Sequence, residues 1–158
     1  MKLKEWKPFI ISAGIALVVG ILSGLLSMNG MEVYSETVIK PVLTPPSWLF
    51  PVVWTILYAL MGISAAKVWL TKDSPARDRG LNLYVVQLIV NFFWSLIFFN
   101  AQAFGFALFW LLLLWVLVLL MIIEFYKVDK LAALLQIPYL IWLTFAAYLN
   151  LGVWVLNS

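Results

Sequence analysis

The sequence predicts an all-α membrane protein: a five-transmembrane-helix bundle that forms one domain over residues 1–158, with a short amphipathic helix in the first loop. The first reason is composition, because 65% of the residues are hydrophobic and 11% are charged, against roughly 45–50% and 25% in soluble domains. The second is distribution, because five apolar stretches are each about 20 residues long, enough to cross the hydrocarbon core of a bilayer. The predicted helices cover residues 8–28, 48–70, 81–99, 104–125 and 131–156.

The first stretch is interpreted as a retained helix rather than a signal peptide. Its apolar run is too long for a signal sequence, and no small-x-small cleavage site ends it. The short link at residues 100–103 predicts that the third and fourth transmembrane helices are antiparallel neighbours.

The long first loop, residues 29–47, contains the predicted amphipathic helix. Met31, Tyr34 and Val38 fall on one helical face, which is typical of a helix lying at the membrane interface. Lys40-Pro41 and then Pro45-Pro46 end this segment, because proline lacks an N–H donor and restricts the residue before it.

The basic residues predict the orientation of the chain. Of the ten Lys and Arg residues, all but Lys40 lie on the side of the membrane that holds the amino terminus and the second and fourth loops. The positive-inside rule therefore places the amino terminus in the cytoplasm and the carboxyl terminus outside. The same distribution accounts for the net charge of +3, so no nucleic-acid partner is predicted.

Two residue types are missing, and this restricts the chemistry. The chain has no Cys and no His, so disulfides, thiolate metal sites and haem ligation by His or Cys are excluded. No metal site and no required cofactor are predicted. The apolar spans carry charged residues only near their ends, which argues against ion-coupled transport.

Polar and aromatic residues recur at helical spacing on three predicted helices. Two interpretations remain open: hydrogen bonds between helices, worth about 0.6–2 kcal/mol each, or a shared aromatic pocket for a flat apolar ligand. The residues are Trp54, Tyr58 and Gly62 on the second helix, Gln87, Asn91 and Trp94 on the third, and Pro138, Trp142, Ala146 and Asn150 on the fifth.

Two further patterns concern helix shape and packing. Pro138 lies inside the fifth helix and leaves the carbonyl of Leu134 without a donor, which predicts a kink. Ala16, Gly20 and Gly24 form a small-residue track on the first helix, which suits either a homodimer or close packing inside the bundle.

Three segments together resemble the TspO/MBR family, which includes tryptophan-rich sensory proteins and translocator proteins. They are residues 45–62, which include Pro45-Pro46-Ser47-Trp48 and Trp54-Thr55-Ile56-Leu57-Tyr58, residues 87–99, and residues 138–150. The resemblance implies a five-helix bundle in the lipid bilayer, commonly a homodimer, with a ligand pocket beneath the first loop. Porphyrins, notably protoporphyrin IX, are ligands of the family, and animal members also bind cholesterol.

The resemblance also implies the site residues. Trp54, Trp94 and Trp142, with Asn91, match the pocket of the family, and the full predicted ligand-binding set adds Pro45, Pro46, Tyr58, Ala146 and Asn150. A propionate of a porphyrin would meet Lys40 or Lys67, which lie on opposite sides of the membrane.

Three functions fit the sequence and its resemblance to the family. The first is a receptor or carrier for porphyrin-type tetrapyrroles. The second is light-dependent degradation of protoporphyrin, for which Trp54 and Trp142 match the tryptophans proposed in some bacterial members. The third is a stress regulator that senses a lipid or metabolite.

Two departures from the family pattern affect the expected ligand contacts. Tyr34-Ser35 stands where members often have Trp-Tyr, so one ring that could close over the ligand is missing. In the fifth helix Trp154 is followed by no basic residue, so the animal cholesterol motif is not predicted there.

Overall fold

The computed structural model describes residues 3–158, and these are almost entirely helical. Five helices are long and apolar enough to cross a membrane, which confirms the predicted fold class. In chain order the helices are α1 (Leu3–Leu26), α2 (Met28–Thr37), α3 (Leu49–Trp69), α4 (Pro75–Ser95), α5 (Phe104–Val128), α6 (Lys130–Leu135) and α7 (Ile137–Leu156).

Helix α4 begins six residues earlier than predicted because its first turn is polar and capped. The Ser74 hydroxyl accepts a hydrogen bond from the backbone N–H of Arg77 at 3.1 Å. Pro75 occupies the first helical position, where no N–H is needed. The Arg77 guanidinium bonds back to the carbonyl of Trp69 at 2.8 Å, which fixes the link from α3.

The other end of α4 widens into a π-helical turn, Leu96–Asn100. The predicted short helix of the first loop is present as α2, and it rests on this turn. A Cβ on Gly30 would lie 2.4 Å from Asn100 Oδ1 and 2.6 Å from the Phe99 carbonyl oxygen, so only glycine permits this approach. The Asn100 amide also donates to the carbonyl of Leu26 at 2.8 Å.

The fifth predicted helix is divided into α6 and α7 at Gln136, two residues before Pro138. The predicted kink is therefore present as a break. Because Pro138 has no N–H, the chain tightens instead, and the N–H of Gln136 bonds to the carbonyl of Ala133 at 3.0 Å. Asp129 caps α6 by accepting from the N–H of Ala132 at 3.1 Å.

Close packing of small residues joins α1 to α3. A Cβ on Gly62 would lie 2.4 Å from the Ala13 Cα, and one on Gly20 would lie 2.4 Å from the Tyr58 ring. Ala16 is fully buried. The small-residue track on α1 thus packs inside the bundle along Ala16 and Gly20.

The remaining packing leaves a gap at one end of the bundle. Helices α4 and α5 pack along their lengths as the predicted antiparallel neighbours, and α5 also packs on α7. The backbone of α3 approaches α6 closely but hardly approaches α7. The two helices therefore diverge beyond the α6–α7 break, and this divergence opens a cavity.

Candidate ligand site

A cavity of about 730 Å³ lies beneath the first loop, between α1, α3, α4 and α7. The three stripes of polar and aromatic residues converge on it. Of the nine residues predicted to bind ligand, all but Pro46 line this cavity. The lining members are Pro45, Trp54, Tyr58, Asn91, Trp94, Trp142, Ala146 and Asn150.

Aromatic rings fill the space between α3 and α7. The rings of Trp54 and Trp142 have centroids 6.4 Å apart with perpendicular planes, and Phe50 meets Trp142 edge-on at 5.8 Å. Such edge-to-face geometry is favourable for aromatic pairs. The result is an apolar wall built from indole faces. Phe50 was not predicted, since it lies one turn before the stripe.

A buried hydrogen-bond chain forms the floor of the cavity. The Tyr58 hydroxyl donates to Asn91 Oδ1 at 2.6 Å, and Asn91 Nδ2 donates to the Tyr139 hydroxyl at 2.6 Å. The Tyr139 hydroxyl donates to Gln87 Oε1 at 2.7 Å. Because both amide atoms of Asn91 are engaged, this residue shapes the floor through bonds between helices. Tyr139 was missed, although it lies next to Pro138 in the predicted motif.

Asn150 and Trp94 are paired in the same way. Trp94 Nε1 donates to Asn150 Oδ1 at 3.2 Å, and Asn150 Nδ2 donates to the carbonyl of Phe104 at 2.8 Å. The Trp94 ring also stacks on Phe98 with centroids 5.0 Å apart. These bonds join α4, α5 and α7, and they leave the ring faces rather than the polar atoms to meet a ligand.

Trp142 differs from Trp94 in one respect. Its Nε1 atom is buried and has no hydrogen-bond partner among residues 3–158. A buried donor without a partner costs about 1–3 kcal/mol. The atom is covered on all sides, so a ligand could accept this bond and remove the penalty only after the indole turns toward the cavity.

The part of the first loop between α2 and α3, residues 38–48, forms the roof of the cavity, and it carries a positive charge. Lys40 lines the cavity, and its Nζ atom donates to the carbonyl of Val38 at 2.9 Å and lies 4.8 Å from the centroid of the Tyr34 ring. Burial raises the pKa of the Tyr34 hydroxyl, so this ring stays neutral beside the ammonium. Lys67 lies away from the cavity, with its Nζ atom 3.6 Å from Asp129.

The roof is fastened to the end of α7. Asn157 Oδ1 accepts from the N–H of Ile39 at 3.0 Å, and Asn157 Nδ2 donates to the carbonyl of Ile39 at 2.8 Å. Pro41 sits in the notch at Gly152, where a Cβ would lie 2.6 Å from the proline Cβ. We call the two bonds between Asn157 and Ile39 the Asn157 clasp. No sequence pattern indicated it, because the two residues are 118 positions apart in the chain.

These features define a multi-pass integral membrane protein whose helix bundle encloses an aromatic cavity. Residues 12–155 match the model of the TspO/MBR family. The chain belongs to this family, which confirms the resemblance seen in the three sequence segments.

Named relatives support the assignment along the whole chain. The chain is 38% identical over 158 residues to the tryptophan-rich protein TspO of Chlorobaculum tepidum, covering 98% of each chain. It is 35% identical over 153 residues to the translocator protein of Sus scrofa, covering 93% of this chain and 90% of the relative. It is 42% identical over 119 residues to protein CrtK of Rhodobacter capsulatus, covering 75% and 74%.

Proposed function

We propose that this protein is a membrane receptor or carrier that binds porphyrin-type tetrapyrroles, with protoporphyrin IX as the reference ligand. The observation that carries the proposal is the cavity of about 730 Å³, within the range of about 300–1,000 Å³ typical of small-molecule sites. Its walls combine the indole faces of Trp54, Trp94 and Trp142 with few free polar atoms. That combination suits a flat, largely apolar ring.

Three interactions would hold such a ligand. The macrocycle packs against Trp54 and Trp142, and each aromatic contact contributes about 0.5–1.5 kcal/mol beyond the area buried. The unpaired N–H of Trp142, once the indole turns toward the cavity, donates to a ligand acceptor. Lys40 in the roof pairs with a propionate. Of the two lysines considered, Lys40 lines the cavity and Lys67 lies beside Asp129, away from it.

Trp142→Phe is expected to weaken dark binding of protoporphyrin IX by about tenfold, equivalent to about 1.4 kcal/mol, because it removes both ring area and the unpaired donor. The measurement is a titration of the purified protein followed at the Soret band. Trp69→Phe is the matched control, since Trp69 is 61% exposed at the far end of α3. Equal affinities for the two variants, or no saturable binding by the folded wild type, would contradict the proposal.

Lys40→Gln is expected to reduce affinity for protoporphyrin IX by about three- to tenfold, because a charge-assisted bond contributes about 1.5–3 kcal/mol when shielded and less when partly exposed. The dimethyl ester of the same porphyrin carries no carboxylate and serves as the matched ligand. Its affinity is expected to be the same for wild type and variant. A parallel loss for both ligands would mean that Lys40 acts through the shape of the roof.

A second candidate function is light-dependent breakdown of bound protoporphyrin. The contact between Trp54 and Trp142 favours it, because two adjacent indoles beside an excited porphyrin are oxidisable groups. Illumination in air of the loaded wild type and of the Trp54→Phe/Trp142→Phe variant tests it. A new product spectrum in the wild type alone supports this function, and identical bleaching in both removes it.

A third candidate is a sensor of lipids or metabolites. It is distinguished by competition: unrelated lipids that displace protoporphyrin IX at comparable concentrations would favour it over a tetrapyrrole receptor.

Orientation and assembly are part of the proposal. The basic residues favour a cytoplasmic amino terminus, and the family resemblance favours a homodimer. Labelling of single cysteines introduced at Lys72 and Val42 tests the orientation, because these residues lie at opposite ends of α3. The mass of the detergent-solubilised protein tests the dimer.

A further inference from the structure

We infer that the ligand enters and leaves the cavity sideways, from the hydrocarbon layer of the membrane, through an opening between α1 and α3. The inference rests on the proposed function, namely that the cavity binds a ligand. It adds the class of that ligand: a molecule dissolved in the bilayer rather than one taken directly from water.

The packing of α1 on α3 changes along its length. The two backbones touch where Gly62 meets Ala13, and the Tyr58 ring fills the space at Gly20. One turn further along α1, a Cβ on Gly24 would have no neighbour within 4 Å. Gly24 lies on the same face of α1 as Gly20 and lines the cavity, so the face that packs on Tyr58 one turn earlier borders open space at this level.

Residues on both sides of this seam face the cavity and are also exposed. Ile21 and Leu25 of α1 line the cavity, and each is 59% exposed. Pro51 and Thr55 of α3 line it as well and are exposed. The wall between the cavity and the lipid is thus incomplete here.

The rim of the opening presents no unpaired polar group to an apolar ligand. The Thr55 hydroxyl donates to the carbonyl of Pro51 at 2.7 Å, inside its own helix. The two aliphatic side chains of α1, Ile21 and Leu25, form the opposite edge. A porphyrin ring or an acyl chain would cross such a rim without the cost of desolvating polar groups.

The other seams around the cavity are bridged by side chains. The α1–α4 seam is joined by Ser23, whose hydroxyl donates to the carbonyl of Phe92 at 2.9 Å. The α4–α7 seam is joined by the Trp94–Asn150 bond, and the α3–α7 seam by the contact of Phe50 with Trp142. Passage through any of these would break a specific contact.

The route through the roof is also fastened. The Asn157 clasp on Ile39, the Tyr148 bond to the carbonyl of Val42 at 2.6 Å and the seat of Pro41 at Gly152 tie the loop to α7. Entry from water would require their release. Entry between α1 and α3 requires none of them to break.

The decisive experiment locks the roof. The chain has no Cys, so an Ile39→Cys/Asn157→Cys variant forms a single disulfide on oxidation. The side chain of Asn157 bonds both backbone groups of Ile39, so the two positions are adjacent, which is the first requirement for a disulfide. The variant is reconstituted in phosphatidylcholine vesicles, protoporphyrin IX is added in the dark, and association and dissociation rates are followed by stopped flow at the Soret band.

The oxidised and reduced forms of the same sample are the matched pair. Lateral entry predicts that both rates agree within about twofold between the two forms, a difference of about 0.4 kcal/mol in activation free energy. Slowing by about tenfold or more on oxidation, reversed by reductant, would overturn the inference. Gel mobility under non-reducing conditions verifies that the bond has formed.

A second variant tests the opening itself. Gly24 lines the cavity beside the gap between α1 and α3. A ring placed there by Gly24→Phe is expected to slow association and dissociation together by about tenfold with a smaller change in Kd. A ring that only filled the space of the ligand would instead raise Kd without slowing dissociation. Gly14→Phe is the matched control, because a Cβ at Gly14 also has no neighbour within 4 Å and Gly14 does not line the cavity. Wild-type rates for Gly24→Phe would overturn the inference.

The two proposals fail in different ways. If the wild type shows no saturable binding, the proposed function is removed, and the inference about entry falls with it. If it binds but its rates depend on release of the roof, only lateral entry is overturned.

Discussion

Gly62→Ala is expected to destabilise the protein by about 3 kcal/mol, because overpacking a closely packed interface costs about 1–3 kcal/mol and here the obstacle is backbone. The added Cβ would lie 2.4 Å from the Ala13 Cα, 2.6 Å from the Ala13 nitrogen and 2.7 Å from the Ser12 carbonyl oxygen. No side-chain rotation relieves these contacts, so α1 as a whole must move away from α3. The measurement is thermal unfolding of the detergent-solubilised protein by near-ultraviolet circular dichroism.

Gly14→Ala provides the control on the same helix. A Cβ there has no neighbour within 4 Å, and alanine is favoured over glycine in a helix by about 1 kcal/mol. Its unfolding temperature is expected to equal or exceed that of the wild type. An unchanged unfolding temperature for Gly62→Ala would contradict the close contact between the two helices.

Tyr139→Phe is expected to destabilise the protein by about 2–4 kcal/mol, since a buried group left unpaired costs about 1–3 kcal/mol. The hydroxyl accepts from Asn91 and donates to Gln87, so its loss leaves two buried amides each short of one bond. Single interhelical bonds in membranes average only about 0.6 kcal/mol, but here two partners lose their bond at once. Unfolding by sodium dodecyl sulfate, followed by circular dichroism, measures the change.

Two comparisons separate this effect from the loss of a hydroxyl in general. Tyr126→Phe changes a tyrosine that is 53% exposed, and it is expected to alter stability by less than about 0.5 kcal/mol. Adding Gln87→Leu to Tyr139→Phe is expected to recover part of the loss, because an apolar pair leaves one unsatisfied group fewer. Equal destabilisation by Tyr126→Phe and Tyr139→Phe would show that the hydrogen-bond chain beneath the cavity contributes little to the stability of the protein.

The helical periodicity of the sequence was a better guide to the fold and to the cavity than the local signals that mark helix ends. Residues spaced by three and four share a face, and the faces that carry Trp54, Asn91 and Trp142 do meet at one cavity. The length and apolar character of the spans predicted all five crossings. These are properties that a short window of sequence contains.

What periodicity could not supply was the partner of each polar group. It placed Asn91 on the correct face, but whether its amide bonds a ligand or a neighbouring helix depends on Tyr58 and Tyr139, which approach it from two other helices. The Asn157 clasp is a contact across the whole chain and left no local signal. The early start of α4 was readable from Ser74 and Pro75, but the apolar window excluded its charged first turn.

The hydrogen-bond chain beneath the cavity also has a consequence for the order in which the protein is made. Asn91 can pair with Tyr58 as soon as α3 and α4 are both in the membrane, but Gln87 must wait for Tyr139, which follows it by 52 residues. At about 5–20 residues per second, that wait lasts roughly 3 to 10 seconds on the ribosome. For that time the amide oxygen of Gln87 lies in the membrane without its final donor, whereas its nitrogen can already bond the Met61 sulfur of α3. The last helix both ends the wait and closes the bundle.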